Sequence, residues 1–204
     1  HGDNDHAGGM RAVAREFPDA DASGGEPERS DIPLRACVAG EAWGWDGVRF
    51  RVLSPPSTRP VPNDAHGDND RSCVLLVEGE GGRLLLTGDI SSRIEPAVAQ
   101  TVPDSETPLV LGVPHHGSRS SSSAAFIEAV HPALAIVSAG WRSRYGQPNP
   151  EVGARYRDAG VEIANTAEEG ALTIDFPADS PPIPDAERER RRRYWREGGA
   201  SPSP

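Results

Sequence analysis

Lysine is absent from this chain of 204 residues, so all 21 basic side chains are arginines. Cysteine occurs twice, at Cys37 and Cys73. Two are too few for a disulfide framework, and they do not form a Cys-x-x-Cys pair. Cys73 lies in an apolar run and reads as a small buried hydrophobe. No apolar run approaches the roughly 20 residues that cross a bilayer, so the sequence as given holds no transmembrane helix. Nor does it begin with methionine. Its first residue, His1, already belongs to the most informative motif, and a metal ligand at a fraying terminus would be poorly held. The expectation is a C-terminal portion of a longer polypeptide, whose remainder could include membrane spans.

The formal charge is −10. Residues 181–204 carry six Arg against four acids, a net +2, which leaves −12 on the body of the chain. An acidic body argues against broad nonspecific coating of DNA, which rests on neutralising phosphates. It is compatible with carboxylates gathered around cations.

Short apolar runs alternate with helix-length amphipathic stretches, which predicts an α/β fold with a sheet covered by helices. Strands are expected at Val48–Leu53, Cys73–Glu78, Arg83–Thr87, Leu109–Val113, Leu134–Ser138 and Ala171–Phe176. Gly81-Gly82 should close the second and third into a hairpin, which keeps the sheet from being wholly parallel. Helices are expected at Ala7–Phe17, Ser91–Gln100, Ser122–Val130 and Pro150–Ala159, the last with Asn149 as N-cap, Pro150 at its first position and Gly160 as C-cap. Residues 1–176 read as one domain. Residues 177–204, rich in Pro, then Arg, then Gly, Ser and Pro, read as a disordered tail; Tyr194 and Trp195 among its arginines could stack on bases.

Three segments carry chemistry. The first is His1-Gly2-Asp3-Asn4-Asp5-His6, with four candidate metal ligands in six residues. Imidazole and carboxylate are the donors of catalytic zinc, and carboxylate-rich sets also suit manganese. The second is the strand Leu84-Leu85-Leu86 running into Thr87-Gly88-Asp89, an acid at a strand end that could bridge two cations. The third is a strand ending in Pro114-His115-His116-Gly117-Ser118. Neighbours at a strand end point in different directions, so one histidine could ligate metal while the other faces substrate.

Taken in order, HxDxDH, Asn69-Asp70-x-Ser72, Thr87-Gly88-Asp89 and His115-His116-Gly117-Ser118 resemble the metallo-β-lactamase-like domain of ComEC proteins, the DNA-internalisation competence family. Trp43-x-Trp45-Asp46-Gly47-Val48, Ile136-Val137-Ser138-Ala139-Gly140, Tyr145-Gly146-x-Pro148 and Asn165-Thr166 extend the likeness over residues 1–176. The resemblance implies an αββα sandwich whose N-terminal strands lie outside this fragment, with two divalent ions, zinc or manganese, at one edge. It implies His1, Asp3 and Asp89 on one ion, and Asp5, His6, Asp89 and His116 on the other. Asp5 and His115 would share the catalytic work, and Asn69, Ser118, Arg144, Tyr145 and Gln147 would meet substrate. It further implies a nuclease that degrades the DNA strand not transported, partnered by DNA, by a membrane channel in the same polypeptide and by the uptake machinery, as a soluble domain of a bacterial inner-membrane protein. Another hydrolase of the same fold, such as a phosphorylcholine esterase or thiolesterase, is the alternative, as is a catalytically weak DNA-binding or scaffold domain.

Two departures stand out. Asn69 stands where many members of the fold have a histidine, so the first ion is short of ligands. Gln147 stands where the resembled family has a histidine before the proline, and glutamine cannot donate a proton to a leaving group. His66-Gly67-Asp68-Asn69-Asp70 repeats the opening five residues closely enough to make His66 a rival ligand.

Overall fold

The ligand-rich opening is helical earlier than expected. In the computed structural model, which describes residues 1–56 and 68–191, the helix expected at 7–17 is two short ones, α1 (Asn4–Ala7) and α2 (Met10–Glu16). Gly8 and Gly9 separate them, each costing a helix about 1 kcal/mol relative to alanine. His66, Tyr194 and Trp195 lie outside the described residues.

Seven strands then lie side by side in chain order: β1 (Ala42–Trp45), β2 (Val48–Ser54), β3 (Val74–Glu78), β4 (Arg83–Leu86), β5 (Leu109–Gly112), β6 (Leu134–Val137) and β7 (Glu162–Asn165). From β1 to β4 the pairing is antiparallel, and from β4 to β7 it is parallel. Two short links, from β1 to β2 and from β3 to β4, shape the first half. Asp46 and Gly47, both at positive φ (48° and 81°), turn β1 into β2, the left-handed pair that a tight hairpin prefers. The expected Gly81-Gly82 turn joins β3 to β4, and its glycines are needed for a second reason: a Cβ on Gly81 would lie 2.1 Å from the Phe176 carbonyl oxygen. Crossovers dictate the second half, through α3 (Glu95–Ala99), α4 (Ala124–Val130) and α5 (Pro150–Asp158), because parallel strands cannot be joined by a hairpin. At α5 the expected caps are present: the Asn149 side chain accepts from the Glu151 N–H, and Gly160 takes φ +72°.

Alternation along the strands divides the aliphatic residues between two faces. Leu76, Leu85, Leu109 and Leu111 face Val98, Phe126, Ile127, Val152 and Tyr156 of the helices. On the other side Val110, Leu134 and Ala164 meet Leu84, Ile136, Leu172, Ile174 and Phe176. Full burial of each large aliphatic stabilises by about 1.5–3 kcal/mol, and the core holding α3, α4 and α5 against the sheet is what fixes the carboxyl ends of β4 and β5. Toward the antiparallel edge, Trp43 stacks on Phe50 with rings 5.2 Å apart. The α/β class holds: a seven-stranded sheet with a helical layer on one face. Against the other face packs a smaller, two-stranded sheet that carries Leu172 and Ile174.

The boundary expected at 176 does not end the ordered chain. Strand β8 (Leu172–Asp175) pairs antiparallel with β9 (Ile183–Ala186), and β9 runs into a helical turn at Glu187–Arg190. Arg188 anchors that turn, donating to the carbonyls of Ala167 and Glu168 and lying 4.2 Å from the centre of the Trp141 ring. The cysteines are also joined: Cys37 and Cys73 form a disulfide, Cα atoms 5.9 Å apart. It ties the segment before β1 to the start of β3, so Cys73 is a cross-link where a simple hydrophobe was expected. No helix among the described residues is long and apolar enough to cross a membrane.

Candidate metal centre

Asp89 follows β4 through Gly88, whose φ is +56°. A Cβ at Gly88 would stand 2.6 Å from the Ser72 Cβ, so glycine lets the strand end close on Ser72. The Ser72 hydroxyl accepts the Asp89 N–H at 2.9 Å and lies 3.1 Å from His1 Nδ1. One buried hydroxyl thus orients both the acid and the first histidine. Thr87 donates to the Gly112 carbonyl at 2.8 Å, lacing the ends of β4 and β5 together.

The paired histidines do not point apart. Strand alternation fails here because they follow β5 on a turn in which His115, His116 and Gly117 all take left-handed φ values of 51°, 53° and 77°. For two imidazole-bearing residues this conformation costs about 1–2 kcal/mol each, strain of the kind held at functional sites. The result is that both rings face Asp89. His116 Nδ1 lies 2.9 Å from the Ser138 carbonyl. A carbonyl only accepts, so Nδ1 carries the proton and Nε2 keeps its lone pair for the site.

Asp89 is 4% exposed, and each of its oxygens faces two imidazoles. Oδ1 lies 3.2 Å from His6 Nε2 and 3.7 Å from His116 Nε2. Oδ2 lies 3.8 Å from His1 Nε2 and 3.7 Å from His115 Nε2. Asp3 Oδ2 adds to the His1 side at 3.6 Å, and Asp5 Oδ2 stands 3.3 Å from His116 Nε2 and 3.9 Å from His6 Nε2. Most of these spacings are too long for hydrogen bonds. They match the separation of about 3.4 Å between two ligands that each stand about 2.1 Å from a tetrahedral cation. His1 Nε2 and His116 Nε2 are buried without hydrogen-bond partners, which is costly unless something else takes the lone pair. The donor set and its spacing therefore fit divalent ions, with His1, His6 and Asp89 forming one compact group and Asp5, His6 and His116 another. Asp89 titrates low: burial pushes its carboxyl up, but the hydrogen bond from His6 and the charges of His116, His6 and His115 outweigh it. His6 is raised, chiefly by its hydrogen bond to Asp89.

The expected substrate-facing residues divide. Asn69 reaches the site, its Nδ2 lying 3.4 Å from both ring nitrogens of His115, and the Ser120 hydroxyl stands 3.3 Å from His115 Nδ1. Ser118 contacts Ser120. Arg144 is spent on Tyr145, donating to its hydroxyl at 2.7 Å, and Tyr145 is exposed. Gln147 is held through its carbonyl by Asn165 Nδ2 at 3.2 Å. Ser118, Arg144, Tyr145 and Gln147 line no part of the cavity of about 530 Å³ that opens onto Asp5, His6, Asp89 and His116, and neither do Asn69 and His115. That cavity's floor is apolar, made by Leu84, Leu86, Ile136, Ile174 and Phe176. Sequence reasoning missed the positioning parts, Ser72, Thr87, Ser120 and the Ser138 carbonyl. Ser72 was legible only as part of a motif, and a backbone carbonyl leaves no signal at all.

Residues 1–141 match the family described as Metallo-beta-lactamase superfamily. The chain is 37% identical over 172 residues, 84% of its length, to Competence protein ComA of Neisseria gonorrhoeae, covering 24% of that protein. It is 32% identical over 202 residues, 98% of its length, to Recombination protein 2 of Haemophilus influenzae, covering 25% of it. Over 129 residues, 63% of the chain, it is 32% identical to ComE operon protein 3 of Bacillus subtilis, covering 16% of it. The chain thus spans about a quarter or less of the length of these relatives, and the resemblance to the ComEC type rests on them as well as on its motifs.

Proposed function

The chain belongs to the metallo-beta-lactamase superfamily, and from that premise we propose that it hydrolyses phosphodiester bonds of DNA in competence, degrading the strand that is not transported. His1, Asp3 and Asp89 Oδ2 would hold one divalent ion, and Asp5, His6, His116 and Asp89 Oδ1 the other. When bound, such a pair supplies water activation near neutral pH and neutralises charge gathering on phosphate oxygens. The observation that carries the reading is the two-sided surround of Asp89, with two imidazoles on each carboxylate oxygen.

The protein's own groups do the rest. Ser72 and the Ser138 carbonyl hold the Nδ1 sides of His1 and His116, so that Nε2 of each ring faces Asp89. His115, steadied by Ser120 and Asn69, would pass a proton to the leaving oxygen, the role Gln147 cannot fill. Names of relatives as competence and recombination proteins support DNA as the substrate, and their greater length supports a longer polypeptide as the setting.

The test is a nuclease assay on single- and double-stranded DNA with and without Mn²⁺, on the chain and on Asp89→Ala. Metal-dependent cleavage lost in Asp89→Ala supports the reading; no cleavage, with equal metal content in both proteins, contradicts it. The apolar cavity floor favours a second reading, a thiolesterase taking an apolar acyl group, which turnover of acyl thioesters but not DNA would establish.

A further inference from the structure

Glu26 is a carboxylate only 3% exposed, some twenty residues beyond the ligand motif and assigned no part so far. Its Oε2 accepts the Gly2 backbone N–H at 2.9 Å and the Arg29 Nη1–H at 3.0 Å. The same guanidinium donates to Asp68 Oδ2 at 2.8 Å and reaches Asp3 Oδ1 at 3.5 Å through Nη2. Gly2 leaves room for it: a Cβ there would stand 3.1 Å from both Cβ and Nε of Arg29. Arg29 is therefore laid across the ligand loop, its Nη1 shared between the buried Glu26 and Asp68 and its Nη2 turned to Asp3. Asp3 presents one oxygen to this arginine and the other, Oδ2, to His1 Nε2 at 3.6 Å.

We propose that Arg29 is the positioning residue for the first ion: it holds Asp3 by Oδ1, so that only Oδ2 is offered as ligand beside His1. The inference rests on the proposed two-ion site. Ligating carboxylates are commonly fixed by an outer partner, and losing that partner weakens metal binding by about 10–100-fold. Only arginine fits the task, since its planar fork serves Glu26, Asp68 and Asp3 at once, whereas a lysine ammonium is a single point charge. The geometry also gives Asp68 a purpose: it braces Arg29 and need not ligate.

The test isolates the first site. In a His116→Ala chain, which keeps that site, Zn²⁺ affinity is measured against a chromophoric chelator, with and without Arg29→Gln. The expected result is a loss of about 10–100-fold, while in the otherwise unaltered chain the affinity of the second ion, whose ligands Arg29 does not touch, moves by about twofold or less. Arg29→Lys should not restore the first ion, and it serves as the test variant if Arg29→Gln does not fold. Unchanged affinity in either folded variant, equal weakening of both ions, or full rescue by lysine would overturn the assignment. A parent chain that binds no Zn²⁺ would instead bring down the two-ion reading beneath it, an outcome distinct from two ions bound with Arg29 irrelevant.

Discussion

The two halves of the candidate centre are built by different means. Asp89, His115 and His116 stand at the ends of β4 and β5, fixed by left-handed backbone, by strand lacing through Thr87 and by the buried core behind them. His1 to His6 form a loop and a single turn of helix in which only the His1 side chain is fully buried, held by side chains from afar: Glu26, Arg29 and Ser72. Rigid strand ends supply the bridging acid, and a clamped loop supplies the rest. The lesson is that precision at one side comes from the sheet's hydrophobic energy and at the other from a handful of polar contacts, so the halves should fail differently.

The largest effect should come from the rigid half. Asp89→Ala removes the carboxylate shared by both groups, and its metal affinity should fall by more than the roughly 100-fold that an outer partner alone accounts for, read by dialysis and elemental analysis. Gly117→Ala comes next. Its φ is +77° and the added Cβ would lie 2.5 Å from the Pro148 Cβ, so overpacking and backbone strain together should cost about 2–4 kcal/mol, read as a lowered urea midpoint. His115→Gln should cut turnover while two ions stay bound, whereas His116→Ala should lose one ion; the reverse pattern would exchange their roles. At the clamped half, Ser72→Ala strands the buried Asp89 N–H and should cost about 1–3 kcal/mol, with weaker binding of the ion at His1.

The smallest effect is that of pH. His6 titrates above its ordinary 6.5 and Asp89 below its ordinary 3.8 in the ion-free protein. The raised His6 contributes stability that is full below 6.5 and lost as pH rises through its folded value. The lowered Asp89 contributes stability present above 3.8 and lost as pH falls through its folded value. Ion-free stability should therefore peak between those two ordinary values, while metal affinity, which needs neutral His6, should rise with pH throughout. A chemical denaturation series with and without Zn²⁺ would separate the opposed trends.

What the sequence disclosed follows the same division. Strand ends announce themselves, because apolar runs stop abruptly at Asp89 and at His115-His116, and β2 through β6 were placed within a residue or two. Strand β1 was not, because Gly44 interrupts the aromatic signal of Trp43 and Trp45, and β7 was hidden in the mixed Glu162-Ile163-Ala164-Asn165. Clamping contacts were illegible: Ser72 meets His1 across 71 positions and Cys37 meets Cys73 across 36, and nothing local tells which residue pairs with which. The backward turn of His115 and His116 was misread because strand alternation was carried past Gly112, where the strand ends, into a turn with its own conformation.

Equilibrium dialysis of the purified chain against Zn²⁺ or Mn²⁺, with ions counted per polypeptide, tests the central claim most directly. The account predicts two ions on the parent chain, one on His116→Ala and none on Asp89→Ala at the same free concentration. A parent chain that holds none, or an Asp89→Ala chain that still holds two, would contradict it.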